Sequence, residues 1–399
     1  MKPQSFAIFG DQSLLGHMLK SAAKTSSLET DTTRLNRADY RPRRGLSIPC
    51  VTVLDSSGRV IEEEQRRVFR HAAQSGRGAD ILFAGGTTGE LNRLSNGERQ
   101  RLIEILVDEA ALINGKVRAN GHLAAEAWVG VSGATRRETL ANLECALAAG
   151  ADAAVIAPLS INDIGDVVSF FQREVSDLFD RAGQWLPIFL YDNADIAADP
   201  GIPHIHTRFV KRLSRLHFIF GIKVSAPRRV LGNYTKGALH FKDKGEFGVY
   251  VGDAMLIFQV FKIEEGIAGR LREYWNRYLL HDELPIGVVS GPANVMPREW
   301  QRAWRACYAG DRRLMDIYLS AFSRFNDACV FPKLSGSPNK MIACLKYALK
   351  LDGVIDSDAV AARTPALSEQ ERRQFAADYQ RIKDFIAENT DHLWVSTLI

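Results

Sequence analysis

"FIFGIKVSAP", residues 218–227, is a run of mostly apolar residues closed near a proline and interrupted by one lysine. Strand alternation puts Phe218, Phe220, Ile222 and Val224 on one face and Ile219, Gly221, Lys223 and Ser225 on the other. A strand that is apolar on one face, and small or polar around a lysine on the other, does not read as an open sheet edge. A buried ammonium is costly unless it is paired or neutralised, because burial favours the neutral amine. A neutral amine in a dry, walled pocket is what Schiff-base chemistry with a carbonyl requires. The plainer alternative is a lysine that snorkels out at the strand end beside Pro227.

Outward from that stretch the same unit recurs. "IPCVTVLD" (48–55) reads as a strand and 61–75 as a helix. "ADILFAGGTTGE" (79–90) is a strand ending in a glycine-rich turn, followed by a helix that Ser95 opens and Glu98 completes as a capping box. "AWVGVSG" (127–133) precedes a helix over 136–149, and "AAVIAPLS" (153–160) precedes one over 164–182. "LPIFLYDN" (186–193), "FIFGIKVS" (218–225), "FGVYVGD" (247–253) and "PIGVVSG" (285–291) complete the series. Eight alternating units over roughly 250 residues predict an α/β fold of the (β/α)8 barrel type. A doubly wound sheet also alternates, but rarely through so many uniform units.

Two stretches stand outside the repeat. Residues 1–44 read as an N-terminal extension; their "FAIFG" opening lacks the glycine spacing and the acidic partner of a dinucleotide site. The barrel is expected over 45–310, with a helical C-terminal region over 311–399 whose breaks fall near Gly310, Ser335–Pro338 and Asp352–Ser357.

Charge and cysteine content exclude several classes. Residues 1–44 hold eight Lys/Arg against four Asp/Glu, which accounts for the whole net charge of +4; residues 45–399 hold 43 of each. A neutral body offers no electrostatic footprint for nucleic acid. No apolar run reaches membrane-spanning length. Five scattered cysteines without a CxxC pair favour a reducing, cytoplasmic setting over a disulfide framework.

In such a barrel the chemistry sits at the C-terminal ends of the strands. That rim reads Gly85–Glu90, Pro158–Ser160, Tyr191–Asn193, Lys223, Gly252–Asp253 and Val289–Asn294. It holds one amine, one phenol, several hydroxyls and a glycine-rich turn suited to a carboxylate or phosphate oxygen. It has no histidine or carboxylate cluster for a metal; His204 and His206 lie after the fifth strand and read as polar residues at a helix start. Tyr191, on the neighbouring strand, can shuttle protons to a substrate oxygen if it lies within reach of the lysine.

The order of these motifs resembles the dihydrodipicolinate synthase / N-acetylneuraminate lyase family of class I aldolase-type barrels, from about Ile48 to beyond Leu349. The matching stretches are "GTTGE" (86–90), "YDNAD" (191–195) against the family's Y-N-x-P, "GIK" (221–223), "GD" (252–253) and "GVVSGPAN" (287–294). The resemblance implies that Lys223 forms an imine with a 2-oxo acid such as pyruvate, with no cofactor and no metal. It implies that Thr87 and Thr88 hold the carboxylate, that Tyr191 donates and accepts the proton, and that Val289 contacts the ligand through its backbone. It further implies a homo-oligomer, dimer or tetramer.

Departures from the family narrow the expected substrate. The arginine that dihydrodipicolinate synthases place five residues after the tyrosine is Ile196 here. Their second relay tyrosine, after the strand-four proline and reaching into a neighbouring subunit, is Ser160. The stretch between Asp253 and Gly287 is longer than in the family. The expectation is therefore a lyase that cleaves, condenses or dehydrates a 2-keto-3-deoxy sugar acid, with Asp253 and Ser290 meeting its hydroxyls. The alternatives are a true dihydrodipicolinate synthase and a non-catalytic barrel that binds a 2-oxo acid.

Overall fold

The computed structural model describes residues 40–262 apart from 244, then 269, 271, 275, 283–331 and 339–390. Nearly all of the N-terminal extension read over 1–44, about half of the 253–287 stretch and the break at 335–338 lie outside the described residues. Eight parallel strands close into a barrel in sequence order. They are β1 (Gly45–Pro49), β2 (Ile81–Ala84), β3 (Glu126–Gly130), β4 (Ala153–Ile156), β5 (Ile188–Asn193), β6 (Ile219–Ser225), β7 (Gly248–Val251) and β8 (Gly287–Val289). β8 pairs back to β1, with Ser47 opposite Val289, which seals the sheet.

The first strand differs from its sequence reading. It begins three residues earlier than expected and ends at Pro49, although Cys50–Leu54 are as apolar and as buried as a strand. The reason is competition for the backbone. The Val51 N–H donates to the Asn294 side chain (3.0 Å) and the Val53 N–H to the Gln65 side chain (2.8 Å). Those groups are therefore lost to the ladder, and the chain leaves the barrel as a buried loop.

Helices cover the outside. Glu62–Ala73 turns Val68, Phe69, Ala72 and Ala73 inward. Asn96–Ala119 starts on Ser95, whose hydroxyl accepts the Glu98 N–H at 3.3 Å. Only half of the capping box forms, because the Glu98 carboxylate reaches instead to the Val60 N–H (2.7 Å) and ties the loop after β1 to this helix. The helical stretch expected over 164–182 is capped by Asp166 and runs as an α-turn (Val167–Ser169), a π-helical segment (Phe170–Val175) and a final α-segment (Ser176–Ala182).

Inside the barrel the odd strands supply one aromatic layer. Trp128 of β3 stacks on Phe189 of β5 with ring centroids 3.9 Å apart, and Tyr250 of β7 meets both edge-on at 5.1 and 5.5 Å. Layers built from alternate strands are the packing rule of this fold. The even strands make room: a Cβ at Gly221 of β6 would come 2.8 Å from the Phe189 ring, and one at Gly287 of β8 would come 2.5 Å from the Tyr250 ring. These rings fill the barrel interior between β3, β5 and β7.

After β8 come Pro297–Ala309, Arg312–Ala328, Met341–Leu351 and Glu369–Thr390. Trp300 and Phe322 stack 4.1 Å apart between the first two. Phe325 packs on Phe375 and Tyr379 of the last. No helix among the described residues is long and apolar enough to cross a membrane.

Candidate active site

The lysine that interrupts the apolar run lies where alternation puts it. Lys223 is 4% exposed, on the barrel-facing side of β6, directly opposite Tyr191 of β5 in the strand register. Its Nζ sits 3.7 Å from the centroid of the Tyr191 ring and 5.3 Å from that of Phe83, which comes from β2. Two aromatic faces thus wall the amine, stabilising it while charged and excluding water while neutral.

Tyr191 is also 4% exposed. Its phenol oxygen has three polar neighbours: the Asn193 amide nitrogen, which donates to it at 2.9 Å, the Thr87 hydroxyl at 3.2 Å and the Ser225 hydroxyl at 3.3 Å. Burial alone would push the phenol up. The Lys223 charge and the hydrogen bonds with Ser225 and Thr87 outweigh that and hold it below the ordinary tyrosine value. A phenol eased towards its anion beside an amine is a pair able to exchange a proton.

Thr87 belongs to the turn after β2. Gly85 opens that turn at φ +70°, in the left-handed region, and Glu90 closes it at φ 60°. The residues of the turn cannot gain bulk, since a Cβ at Gly89 would come 2.8 Å from the Cys50 carbonyl oxygen. Thr87 and Thr88 are half-buried. Thr88 lies against the end of β8, where a Cβ on Gly291 would come 3.1 Å from its hydroxyl. The lysine, the tyrosine and both threonines therefore come from β2, β5 and β6 to one end of the barrel.

The remaining expected residues are less well assembled. Val289 is buried on β8 beside Ser47. Asp253 follows β7 and is exposed. Ser290 is fully buried, and its hydroxyl accepts the Ala293 N–H at 3.3 Å, so this side chain is used to shape the turn after β8.

A family model described as the dihydrodipicolinate synthetase family matches residues 42–158. Over 246 residues, 59% of this chain and 69% of the relative, the sequence is 39% identical to a 4-hydroxy-tetrahydrodipicolinate synthase of Methanothermobacter thermautotrophicus. The chain belongs to the dihydrodipicolinate synthetase family. Solved family structures have the same fold. The dihydrodipicolinate synthase of Bacteroides thetaiotaomicron superposes with a TM-score of 0.65 at 22% identity, over 86% of this chain and 99% of that one. The Aquifex aeolicus enzyme gives 0.64 at 19%, over 86% and 98%. A prophage protein of the family from E. coli K12, solved in complex with pyruvate, gives 0.63 at 20%, over 85% and 98%. The family consists of Schiff-base-forming lyases of the class I aldolase type, and this chain is one of them.

Within that family three positions stand out. Asp192 replaces the usual asparagine, yet it lies on the far side of β5 from Tyr191 and is fully buried. Its carboxylate accepts the Ile205 N–H at 2.8 Å and pairs with His204 Nδ1 at 2.9 Å. The Asp192 side chain is thus engaged by His204 and Ile205. Ser160 donates back to the Ala157 carbonyl oxygen at 2.8 Å, and the half-buried Ile196 ends the short turn Ala194–Ile196. Asn193 and Ser225, the two unexpected partners of Tyr191, were within reach of sequence reasoning. Each stands two residues beyond a residue singled out there, on the same strand face.

Proposed function

We propose that the protein forms an imine between Lys223 and the ketone of a pyruvate-type 2-oxo acid and uses it to make or break a bond to the acid's third carbon. The observation that carries this reading is the buried pairing of Lys223 with Tyr191, 3.7 Å from Nζ to ring centroid, with Thr87 on the phenol. The neutral amine attacks the ketone carbon, the carbinolamine loses its hydroxyl as water, and the protonated imine becomes the electron sink for the carbanion that follows. Tyr191, acting through the Thr87 hydroxyl, moves the proton at the leaving hydroxyl. Thr87 and Thr88 receive the carboxylate, the Val289 backbone flanks the same ligand, and neither metal nor cofactor enters the cycle.

For the second substrate, the reading supported by the relatives' names is 4-hydroxy-tetrahydrodipicolinate synthase, which joins pyruvate to aspartate semialdehyde. A second reading, cleavage or dehydration of a 2-keto-3-deoxy sugar acid, draws on Ile196 and Ser160, which replace the residues that anchor the carboxylated aldehyde and extend the relay. Asp253 is the exposed group at the mouth that would meet a sugar hydroxyl in that case. Assembly as a homo-oligomer accords with either reading.

Borohydride reduction in the presence of pyruvate tests the chemistry. The wild type should gain the mass of one reduced pyruvate adduct, and Lys223→Ala and Lys223→Arg should gain none, since arginine stays protonated and cannot attack. An adduct on either variant would move the nucleophile elsewhere. Rates of condensation with aspartate semialdehyde, set against pyruvate release from a panel of 2-keto-3-deoxy sugar acids, separate the two substrate readings.

A further inference from the structure

The three contacts at the Tyr191 oxygen define a path for proton movement. The Asn193 amide cannot be turned round, because its Oδ1 accepts the Asp195 N–H at 3.1 Å and caps the turn Ala194–Ile196. Its Nδ2 therefore faces the phenol, and an amide nitrogen only donates. A phenol oxygen has one proton to give and two lone pairs to fill. With Asn193 on one lone pair, Thr87 and Ser225 divide the remaining roles: one accepts the Tyr191 proton and the other donates. The result is a hydroxyl chain, Thr87–Tyr191–Ser225, that runs in either sense.

Ser225 is built into this place. A Cβ on Gly252 would come 2.2 Å from its hydroxyl, so the end of β7 is empty where that hydroxyl stands. Ser225 and Thr87, the two ends of the chain, are both half-buried, whereas Tyr191 between them is buried. Ser160, at the family's second tyrosine position, spends its hydroxyl on its own backbone turn.

We propose that Asn193 and Ser225 complete the proton relay of Tyr191 from this chain's own residues, Asn193 occupying one lone pair of the phenol and supporting its anion, and Ser225 linking it to water. The inference rests on the imine reading above. In the dehydrating sense, Thr87 gives its proton to the carbinolamine hydroxyl, which leaves as water. Tyr191 reprotonates Thr87, Ser225 reprotonates Tyr191, and a hydronium at the mouth reprotonates Ser225. Each of the three hydroxyls ends with one proton, and the reverse sense returns a proton to solvent. The Lys223 charge beside the phenol lowers its pKa, which favours giving up its proton along the chain. Both residues act through Tyr191 and are positioning residues for it.

The test uses Ser225→Ala, Ser225→Thr, Asn193→Asp and Asn193→Ser in the full chain, with rates followed across pH. Ser225→Ala should lower kcat by about 10- to 100-fold, below the full range of general acid–base effects because water can partly replace a hydroxyl. Its KM for the 2-oxo acid should stay within about twofold, and Ser225→Thr should restore most of kcat. Asn193→Asp and Asn193→Ser both keep an oxygen for the Asp195 cap but lose the donor to the phenol. The alkaline limb of kcat should move to higher pH in both, further in the aspartate variant, where a second negative charge opposes the phenolate. All four should still give the end-point borohydride adduct. A wild-type rate and pH profile in Ser225→Ala, or an unmoved alkaline limb in both Asn193 variants, overturns the relay. Absence of the adduct in the wild type overturns the imine reading instead.

Discussion

Glu90 and Lys346 form an ion pair 2.5 Å long with neither side chain exposed. It joins the last residue of the threonine turn to the C-terminal helix Met341–Leu351. The other Glu90 oxygen accepts the Ala361 N–H at 2.8 Å and the Thr364 hydroxyl at 2.6 Å, while Lys346 also donates to the Ala359 carbonyl at 2.7 Å. Burial pushes the lysine down and the glutamate opposes that. Glu90 also sits at φ 60°, a conformation that a non-glycine residue keeps only when its surroundings enforce it. The C-terminal helices are thus anchored to the turn that carries Thr87 and Thr88.

Lys346→Met should therefore cost about 3–5 kcal/mol of folding stability, the usual consequence of leaving one buried charge unpaired. Denaturant midpoints of the single variant and of Glu90→Gln/Lys346→Met measure it. The double variant should recover part of the loss, since an amide can still accept from Ala361 and Thr364. Equal stability of wild type and Lys346→Met would mean that the pair contributes nothing net.

The eight units were legible because each parallel strand is a short apolar run with a period of its own, and Lys223 and Tyr191 because a polar residue at the end of such a run is conspicuous. β1 was not, since Cys50–Leu54 is just as apolar and its backbone is claimed by Asn294 and Gln65, far away in sequence. Ser290 looked like a ligand at a strand end, but a hydroxyl there can equally cap the next turn, as it does. The role of Asp192 depended on His204 and Ile205, which only the fold brings beneath β5.

The threonine turn should report on carboxylate binding separately from chemistry. Thr88→Val keeps the shape of the side chain and removes its hydroxyl. Pyruvate affinity should weaken by about 1–3 kcal/mol, the cost of leaving a buried polar group unpaired. Equilibrium titration of pyruvate against the borohydride-trapped fraction reads this directly. Unchanged affinity would place the carboxylate away from Thr88.

Asp192 should make stability fall with rising pH. Burial raises its carboxyl above the ordinary value, against the opposing bonds from Ile205 and His204. A raised pKa means that the folded chain holds the proton more tightly than the unfolded one. That contribution is complete below the unfolded pKa, near 4, and is lost as pH climbs through the folded value. Asp192→Asn, which restores the family's residue, removes this loss. Its Tm relative to wild type should rise as pH climbs above about 4. A constant difference across that range would show that Asp192 does not titrate against folding.

Ile196 offers the sharpest test of which second substrate the cavity takes. The residue ends the turn that Asn193 caps, so a longer side chain there starts from a fixed backbone close to the mouth. Ile196→Arg would place a guanidinium where dihydrodipicolinate synthases hold one. Charge-assisted bidentate pairs are among the stronger hydrogen bonds, so the variant should bind a carboxylated aldehyde better than the wild type does. If the wild type favours hydroxylated substrates, kcat/KM for aspartate semialdehyde should rise about tenfold or more in Ile196→Arg, equivalent to about 1.4 kcal/mol. Pyruvate trapping at Lys223 should stay unchanged, because the imine lies on β6 and the substitution lies beyond β5. Rapid condensation with aspartate semialdehyde by the wild type, with no gain in the arginine variant, would mean that other residues already hold the second carboxylate and that the synthase reading is the correct one.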